Sequence, residues 1–331
     1  MNWVRHILVL LFAVGVSAAQ GQDVRFSSFE ANPMFLNPAL TGFCSQTFRA
    51  GSIYRNQWSS VSTGLNSYLL NAEAQVYTNK RAKLGIGLGL EFLADVAGSL
   101  SYGSRNIGLA LSLYKSFGLD GKYTISLGLK GNRSTWSYDI TNADFGQQTS
   151  DIEGIPLNSL GVYDLSAGLH WHSQLGKQNA FEAGFNIMHI NQPTLSYFEN
   201  STIRMPIRTN IYSSFYFTKD ENYGFKPLII WQRQDNNDEI VAGSEMSMPL
   251  NSLSFEQKSI AFGAYYRVMD ALIVTARYRF NGFNVGISYD VNISKLTPAS
   301  KTYGAVELWL NYSFDINKDN KRQSHIPCPV F

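Results

Sequence analysis

The chain has 331 residues, of which 14% are aromatic and only 16% charged, with 27 glycines and a formal net charge of +2. So balanced a charge gives no electrostatic footprint for nucleic acid. Many aromatics and glycines with few charges favour an all-β protein with little water-facing helix. Beyond residue 19 no uninterrupted apolar run approaches the roughly 20 residues of a spanning helix, which excludes a helical membrane protein.

The first element is a secretory signal peptide over residues 1–19. Arg5 supplies the positive end, Ile7 to Val16 (ILVLLFAVGV) the apolar core, and Ser17-Ala18-Ala19 the small residues of a cleavage site. Residues 20–46 read as a turn-rich periplasmic lead-in. Within them Pro33 and Pro38 restrict the backbone and Gly42 permits a tight bend. A plug, or packing against a barrel rim, is preferred for this segment over a partner epitope.

From residue 47 to residue 314 a two-residue period recurs. In KLGIGLGLEFL the residues Leu84, Ile86, Leu88, Leu90 and Phe92 alternate with Gly85, Gly87, Gly89 and Glu91. The same alternation runs through Ile107 to Tyr114, Tyr123 to Lys130, Tyr163 to Trp171, Phe181 to Ile187, Ile207 to Phe217, Leu272 to Arg279 and Val306 to Phe314. With weaker segments near 47–54, 66–76, 225–232, 239–248, 260–267 and 283–291, the expectation is a transmembrane antiparallel β-barrel of about 14 strands. Strong segments of about 9 to 11 residues match a tilted strand crossing an outer membrane. Leu84, Leu88, Leu109, Leu127, Leu169, Phe185 and Leu308 are expected to face lipid. Glu73, Glu91, Lys130, Asp164, Glu182, Arg208, Arg277, Arg279 and Glu307 fall on the lumen face.

Pro227 removes a ladder donor inside a candidate strand and predicts a bulge. Connections at 55–66, 95–104, 131–160, 190–202 and 292–303 are long and expected outside, whereas Gly118 to Gly121, Ser173 to Gln178 and Asn281-Gly282 read as tight periplasmic turns. Residues 315–331 are expected to form a C-terminal periplasmic tail. The two cysteines, Cys44 and Cys328, flank the barrel, and a closed barrel brings its termini to one rim. A disulfide between them is therefore reasonable, against the alternative of two unpaired thiols.

No constellation carries chemistry. His170 and His172 share a strand face but lack a third metal ligand, since His189 has lipid-facing parity. The Gly85, Gly87, Gly89 series lies within a strand and leads into no helix, so it offers no phosphate-binding amide cluster. No catalytic residue, cofactor site or metal site is expected.

The opening of the exported chain, QDVRFSSFEANPMFLNPALTGF, with Asn37 and Pro38 in its NPALTG stretch, is followed by YRNQW at Tyr54, Arg55, Asn56, Gln57 and Trp58. Together with GISYDVNISKL, which carries Ser288, Tyr289 and Asp290, the VELWLNYSF strand and the IPCPVF tail, it resembles the PorP/SprF family of type IX secretion and gliding-motility outer-membrane proteins. The resemblance implies a Bacteroidota-type source and an outer-membrane location. It further implies a non-enzymatic component of the type IX system that supports secretion or surface anchoring of cargo proteins through contacts at its rims. Its partners would be type IX machinery subunits, a secreted cargo protein and outer-membrane lipid. The alternative is a porin or small-solute transporter. Within YRNQW, Tyr54 and Trp58 are expected to anchor a strand end at the interface and Arg55 to pair with a lumen carboxylate such as Glu73 or Glu91.

Overall fold

The computed structural model describes residues 23–44, 46–60, 64–79, 81–98, 102–118, 121–137, 159–176, 179–196, 203–219, 223–250, 258–295 and 297–315. The signal peptide, Cys328 and the tail beyond residue 315 lie outside the described residues. The chain runs through β1 (Phe48–Gln57), β2 (Leu65–Asn79), β3 (Leu84–Ala97), β4 (Tyr102–Phe117) and β5 (Tyr123–Ser137). It continues through β6 (Ser159–Gln174), β7 (Ala180–Met188), β8 (Arg208–Lys219), β9 (Tyr223–Gln234) and β10 (Asn237–Pro249). The last strands are β11 (Lys258–Arg267), β12 (Ala271–Phe280), β13 (Phe283–Asn292) and β14 (Tyr303–Phe314).

Each strand pairs antiparallel with its sequence neighbours, and β1 pairs with β14 from Phe48↔Phe314 to Gln57↔Ala305, closing the sheet. Closure gives every strand a partner on both sides, the condition a sheet must meet in a solvent that offers its backbone no hydrogen bonds. The alternation read from sequence is what lets one strand satisfy lipid and lumen together. Leu109, Leu127, Leu169 and Leu308 are 57%, 55%, 44% and 50% exposed on the outer face, while Glu73, Asp164 and Glu307 on the inner face are 2% exposed or less. Leu88 and Phe185 are also exposed, and Leu84 is half-buried at the strand end.

The rim where β1 begins and β14 ends carries the short turns, including Asn281-Gly282 between β12 and β13. It is the periplasmic rim. On the outer wall just above it runs a continuous aromatic series, in which Phe48 meets Phe314, Phe314 meets Tyr312, and Tyr312 meets Phe283, which stacks on Phe280. Such a series is the girdle expected where lipid headgroups begin. The opposite, outer rim carries the connections 58–64, 98–101, 138–158, 189–207 and 293–302.

Three readings need correction. Strands extend further outward than the alternation suggested, because polar residues at their outer ends still hold the ladder. Thus β5 pairs with β6 out to Ser137↔Ser159, and the connection expected over 131–160 spans only 138–158. Pro227 makes no bulge. It pairs with Ser244 of β10, while the β8 ladder is interrupted between Ser214↔Leu228 and Phe217↔Phe225 with its register unchanged. The register shifts lie elsewhere, at Gln75/Tyr77 in β2 and at Asp290/Val291 in β13.

The third correction concerns the placement of residues 20–46, for which the plug preferred from the sequence agrees with the structure but the periplasmic position does not. The part described, from Asp23 onward, does not lie below the barrel in the periplasm but inside the lumen, with Phe26, Met34, Leu40 and Phe43 all buried. A short helix α1 (Pro33–Leu36) and a 3-10 turn (Pro38–Leu40) break its path, each preceded by an Asn whose side chain caps it: Asn32 Oδ1 accepts from Phe35 N and Asn37 Oδ1 from Ala39 N.

Candidate functional site

The barrel wall grips this inner segment largely by its main chain. Nearest the periplasmic rim, Ser112 Oγ donates to the Thr41 carbonyl and Ser126 Oγ to the Ala39 carbonyl, both at 2.5 Å, and Glu73 accepts the Gly42 amide at 2.7 Å. Higher up, Asn186 donates to Leu36 O at 2.5 Å and Asn311 to Ala31 O at 2.8 Å. The two oxygens of Glu307 accept the consecutive amides of Ser27 and Ser28 at 2.7 and 2.8 Å. These side chains satisfy main-chain groups that would otherwise be buried without partners at a cost of about 1–3 kcal/mol each.

Lumen glycines supply the room. A Cβ built on Gly128 would lie 2.2 Å from the Ala39 nitrogen, and one on Gly87 only 2.1 Å from the Thr41 carbonyl oxygen. The strand glycines that alternation marked as small lumen residues are therefore the floor on which residues 37–42 rest. Phe43 packs edge-on against Tyr114 and His170, with ring centroids 5.5 and 5.6 Å away, and completes this inner anchor.

The lumen charges are paired in a chain from wall to segment. Arg55 reaches both Glu307 and Asp290. Its expected partners are engaged elsewhere, Glu73 with Arg49 and Glu91 with Lys130, because Arg55 stands near the outer end of β1 and those carboxylates stand lower on the wall. Arg267 joins Asp290, Glu239 and the Ser27 hydroxyl, and Arg25 of the inner segment reaches Glu239 at 2.8 Å. Deeper, Glu30 lies between Lys226 at 3.0 Å and Arg277 at 3.4 Å, and Arg277 also holds Glu245.

At the outer mouth Asp23 sits between His189 Nε2 at 2.6 Å and Arg208 at 3.6 Å, while His189 Nδ1 lies 2.9 Å from Asp164. Lipid-facing parity does not hold for His189. It follows the end of β7 with φ +60, and this left-handed turn swings its ring into the mouth. Burial opposes its charged form, but hydrogen bonds to Asp164 and Asp23 prevail and raise its pKa to about 9. Burial likewise opposes the Asp23 carboxylate, and its bond to His189 with the nearby Arg208 outweighs this, lowering its pKa to about 2.

The family-motif positions divide among three places. Arg55, Ser288 and Asp290 converge with Ser27, Ser28 and Glu307, and Gln57 accepts from Arg55 at 3.2 Å. Asn37 and Pro38 belong to the inner anchor, where Asn37 Nδ2 donates to Leu169 O at 2.9 Å. On the outward side Tyr54 donates to Asn66 at 2.9 Å, as does Asn56 at 2.8 Å, and Tyr289 is half-buried. Trp58 stands at the outer rim, 40% exposed, with its amide on Gly304 O.

Sequence reasoning found the lumen charges but not their partners in the segment: Asp23, Arg25, Ser27, Ser28 and Glu30. Their only sequence signal was an alternation of polar and aromatic residues too short to stand out. Cys44 is buried, and its thiol donates to Gln46 O at 3.0 Å. His170 and His172 bond Tyr212 and Glu182 at 2.9 and 3.1 Å. Among the described residues no group of three or more His, Cys, Asp or Glu could hold a metal ion.

A closed antiparallel barrel with an apolar, aromatic-girdled outer wall and a charged, filled lumen is an outer-membrane protein. The family model for "Type IX secretion system membrane protein PorP/SprF" matches residues 18–312, so the chain belongs to the PorP/SprF family and is a type IX secretion component of the outer membrane. No curated protein matches its sequence. Among solved structures it is similar in fold to the toluene transporter TbuX of Ralstonia pickettii, with 12% identity, TM-score 0.50, and 86% of this chain and 93% of that one covered. A deltaS2S3 mutant of the TodX monoaromatic hydrocarbon channel gives 11% identity and TM-score 0.52 over 86% and 94% of the two chains. The CymD monoaromatic hydrocarbon channel gives 9% and 0.50 over 86% and 93%.

Proposed function

We propose that this barrel is a closed, non-enzymatic surface component of the type IX system that supports secretion or anchoring of a cargo protein through contacts made at its rims. The supporting observation is the occupied lumen. Residues 23–43 run through it from rim to rim, bonded to the wall at both ends through Asp23–His189 and Gly42–Glu73. A lumen so filled leaves the rims and the mouths they surround as the surfaces a partner can reach, where machinery subunits would meet the periplasmic side and cargo the outer side. The outer rim carries exposed Trp58, Met269 and Tyr303, the residue types that dominate protein contacts. Likeness to hydrocarbon channels at 9–12% identity extends to fold and does not carry their solutes with it.

Removing the outer connection 138–158 while keeping β5 and β6 tests the reading. Expected are normal barrel assembly, unchanged solute permeation of liposomes, and loss of surface-displayed secreted protein. Intact display with altered permeation would instead identify a solute transporter.

A further inference from the structure

The direction in which the inner segment runs has a consequence for ligand binding. Gly42 and Thr41 lie at the level of Gly87 and Ser112, in the periplasmic third of β3 and β4. Asp23 bonds Gln234, the last residue of β9, and His189, just past the outer end of β7. The segment therefore climbs the lumen, and its leading end stands at the extracellular mouth.

Its two halves are held by different means. Residues 37–43 rest on the glycine floor beneath buried Leu40 and Phe43, a close fit between backbones. Residues 23–31 bury Phe26 and Phe29 against the wall but are otherwise held by ion pairs and by carboxylate or amide side chains on main-chain groups, contacts that another extended polypeptide with aromatic side chains can reproduce. Two small cavities of about 20 Å³, each with room for about one water, adjoin this half, the first beside Phe26, Ser28, Phe29 and Asn32 and the second beside Ser27 to Ala31. Into the first face Arg208 and Asn210, each 2% exposed, whose Nε and Oδ1 have no hydrogen-bond partner among the described residues.

We infer that the outer half of the lumen is a peptide-binding site opening on the cell surface, filled here by the chain's own residues Asp23–Ala31, which an extended terminal segment of a secreted protein displaces. The inference deepens the proposed function and rests on it, since it names the place where cargo is held. Recognition follows from the wall. Glu307 takes two consecutive amides of any extended chain and Asn311 a carbonyl, so main-chain groups fix the path. Glu239 takes a cation near the mouth, and Lys226 with Arg277 a carboxylate deeper in. The ligand class is an extended peptide with a basic residue and, about five positions further on, an acidic one, the spacing of Arg25 and Glu30.

The test locks the resident segment in place. Ser28 Oγ and Ser288 Oγ are 3.2 Å apart, so the double variant Ser28→Cys, Ser288→Cys should close a disulfide under oxidant. A fluorescent peptide DVRFSSFEA, copied from residues 23–31, should bind the reduced full chain saturably and the locked chain at least tenfold more weakly. Display of secreted protein on cells carrying the locked barrel should fall and return on reduction, with Ser28→Cys alone indifferent to oxidant. Equal peptide binding by both forms, absence of binding by the reduced chain, or undiminished display by the locked barrel each overturns the inference. Should the pair not lock, an epitope inserted before Asp23 decides. Antibody must reach it on intact cells, and reach only after permeabilisation overturns the inference. Shortening the 138–158 connection bears on the rim function alone, so the two readings fail separately.

Discussion

Arg55 on β1 reaches past β14 to Asp290 on β13, with Nη2 and Oδ2 3.1 Å apart, and so ties two strands that are not neighbours across the seam where the barrel closes. Glu307, on the strand between them, takes the other arm of the same guanidinium. All three residues are 3% exposed or less.

Removing the cation should leave two carboxylates buried with fewer partners. Arg55→Ala is expected to destabilise the barrel by about 3 kcal/mol, the usual cost of breaking a buried pair. Arg55→Lys should recover little, because one ammonium cannot serve Glu307, Asp290 and Gln57 together. Urea unfolding of the purified barrel in detergent measures both.

Leu109 and Leu129 face lipid near the middle of β4 and β5. Replacement of either by Arg is expected to cost about 2 to 4 kcal/mol. Leu113, closer to the periplasmic rim on the same face, should tolerate Arg better. Folding equilibria in lipid vesicles give the comparison, and an equal cost at both depths would contradict the placement of the membrane.

The Asp23–His189 contact sets a pH window for the outer end of the segment. His189 is raised from an ordinary 6.5 to about 9, so its contribution is complete below pH 6.5 and is lost as pH rises through 9. Asp23 is lowered from 3.8 to about 2, so its contribution is complete above pH 3.8 and is lost as pH falls through 2. Hydrogen exchange at residues 24–28 should be slowest between about pH 4 and 6.5 after correction for intrinsic rates. His189→Gln should remove the alkaline rise.

Gly128→Leu places a side chain where the Ala39 backbone lies, and it should drive residues 37–42 off the wall. In planar bilayers the parent barrel is expected to stay closed and this variant to conduct.

Burial pushes the Cys44 thiol up to about 12, so a maleimide should label it slowly in the folded barrel. Denaturation without reductant separates two states. Rapid labelling then means a free thiol, whereas labelling that also requires a reductant means a bridge, for which Cys328 is the partner in this chain.

Strand number and facing were legible because a barrel in lipid imposes one rule on every strand, and Leu109, Leu127 and Leu308 obey it alongside Gly108, Ser126 and Glu307. What the segment inside does was not legible. Pairings such as Ser27 with Glu307 span most of the chain, and nothing local to SSFE distinguishes a segment in the periplasm from one in a polar lumen. His189 escaped for a different reason, since a single left-handed residue ends the alternation on which facing was argued. The bulge at Gly304 of β14, opposite the step from Asp290 to Val291, has no signature beyond a glycine.

An N-terminal segment that ends up enclosed also orders the making of the barrel. Residues 23–43 leave the translocation apparatus before any strand exists, and the β1–β14 seam can close only after the last strand has arrived. The sheet thus has a former to wrap around, and side chains of β1, β9, β12 and β14 find charged or main-chain partners on it in addition to those they find on the wall. A chain stripped of this former would have to bury Glu307, Lys226 and Arg277 facing an empty core, so closure of the wall and capture of the segment should occur as one cooperative event.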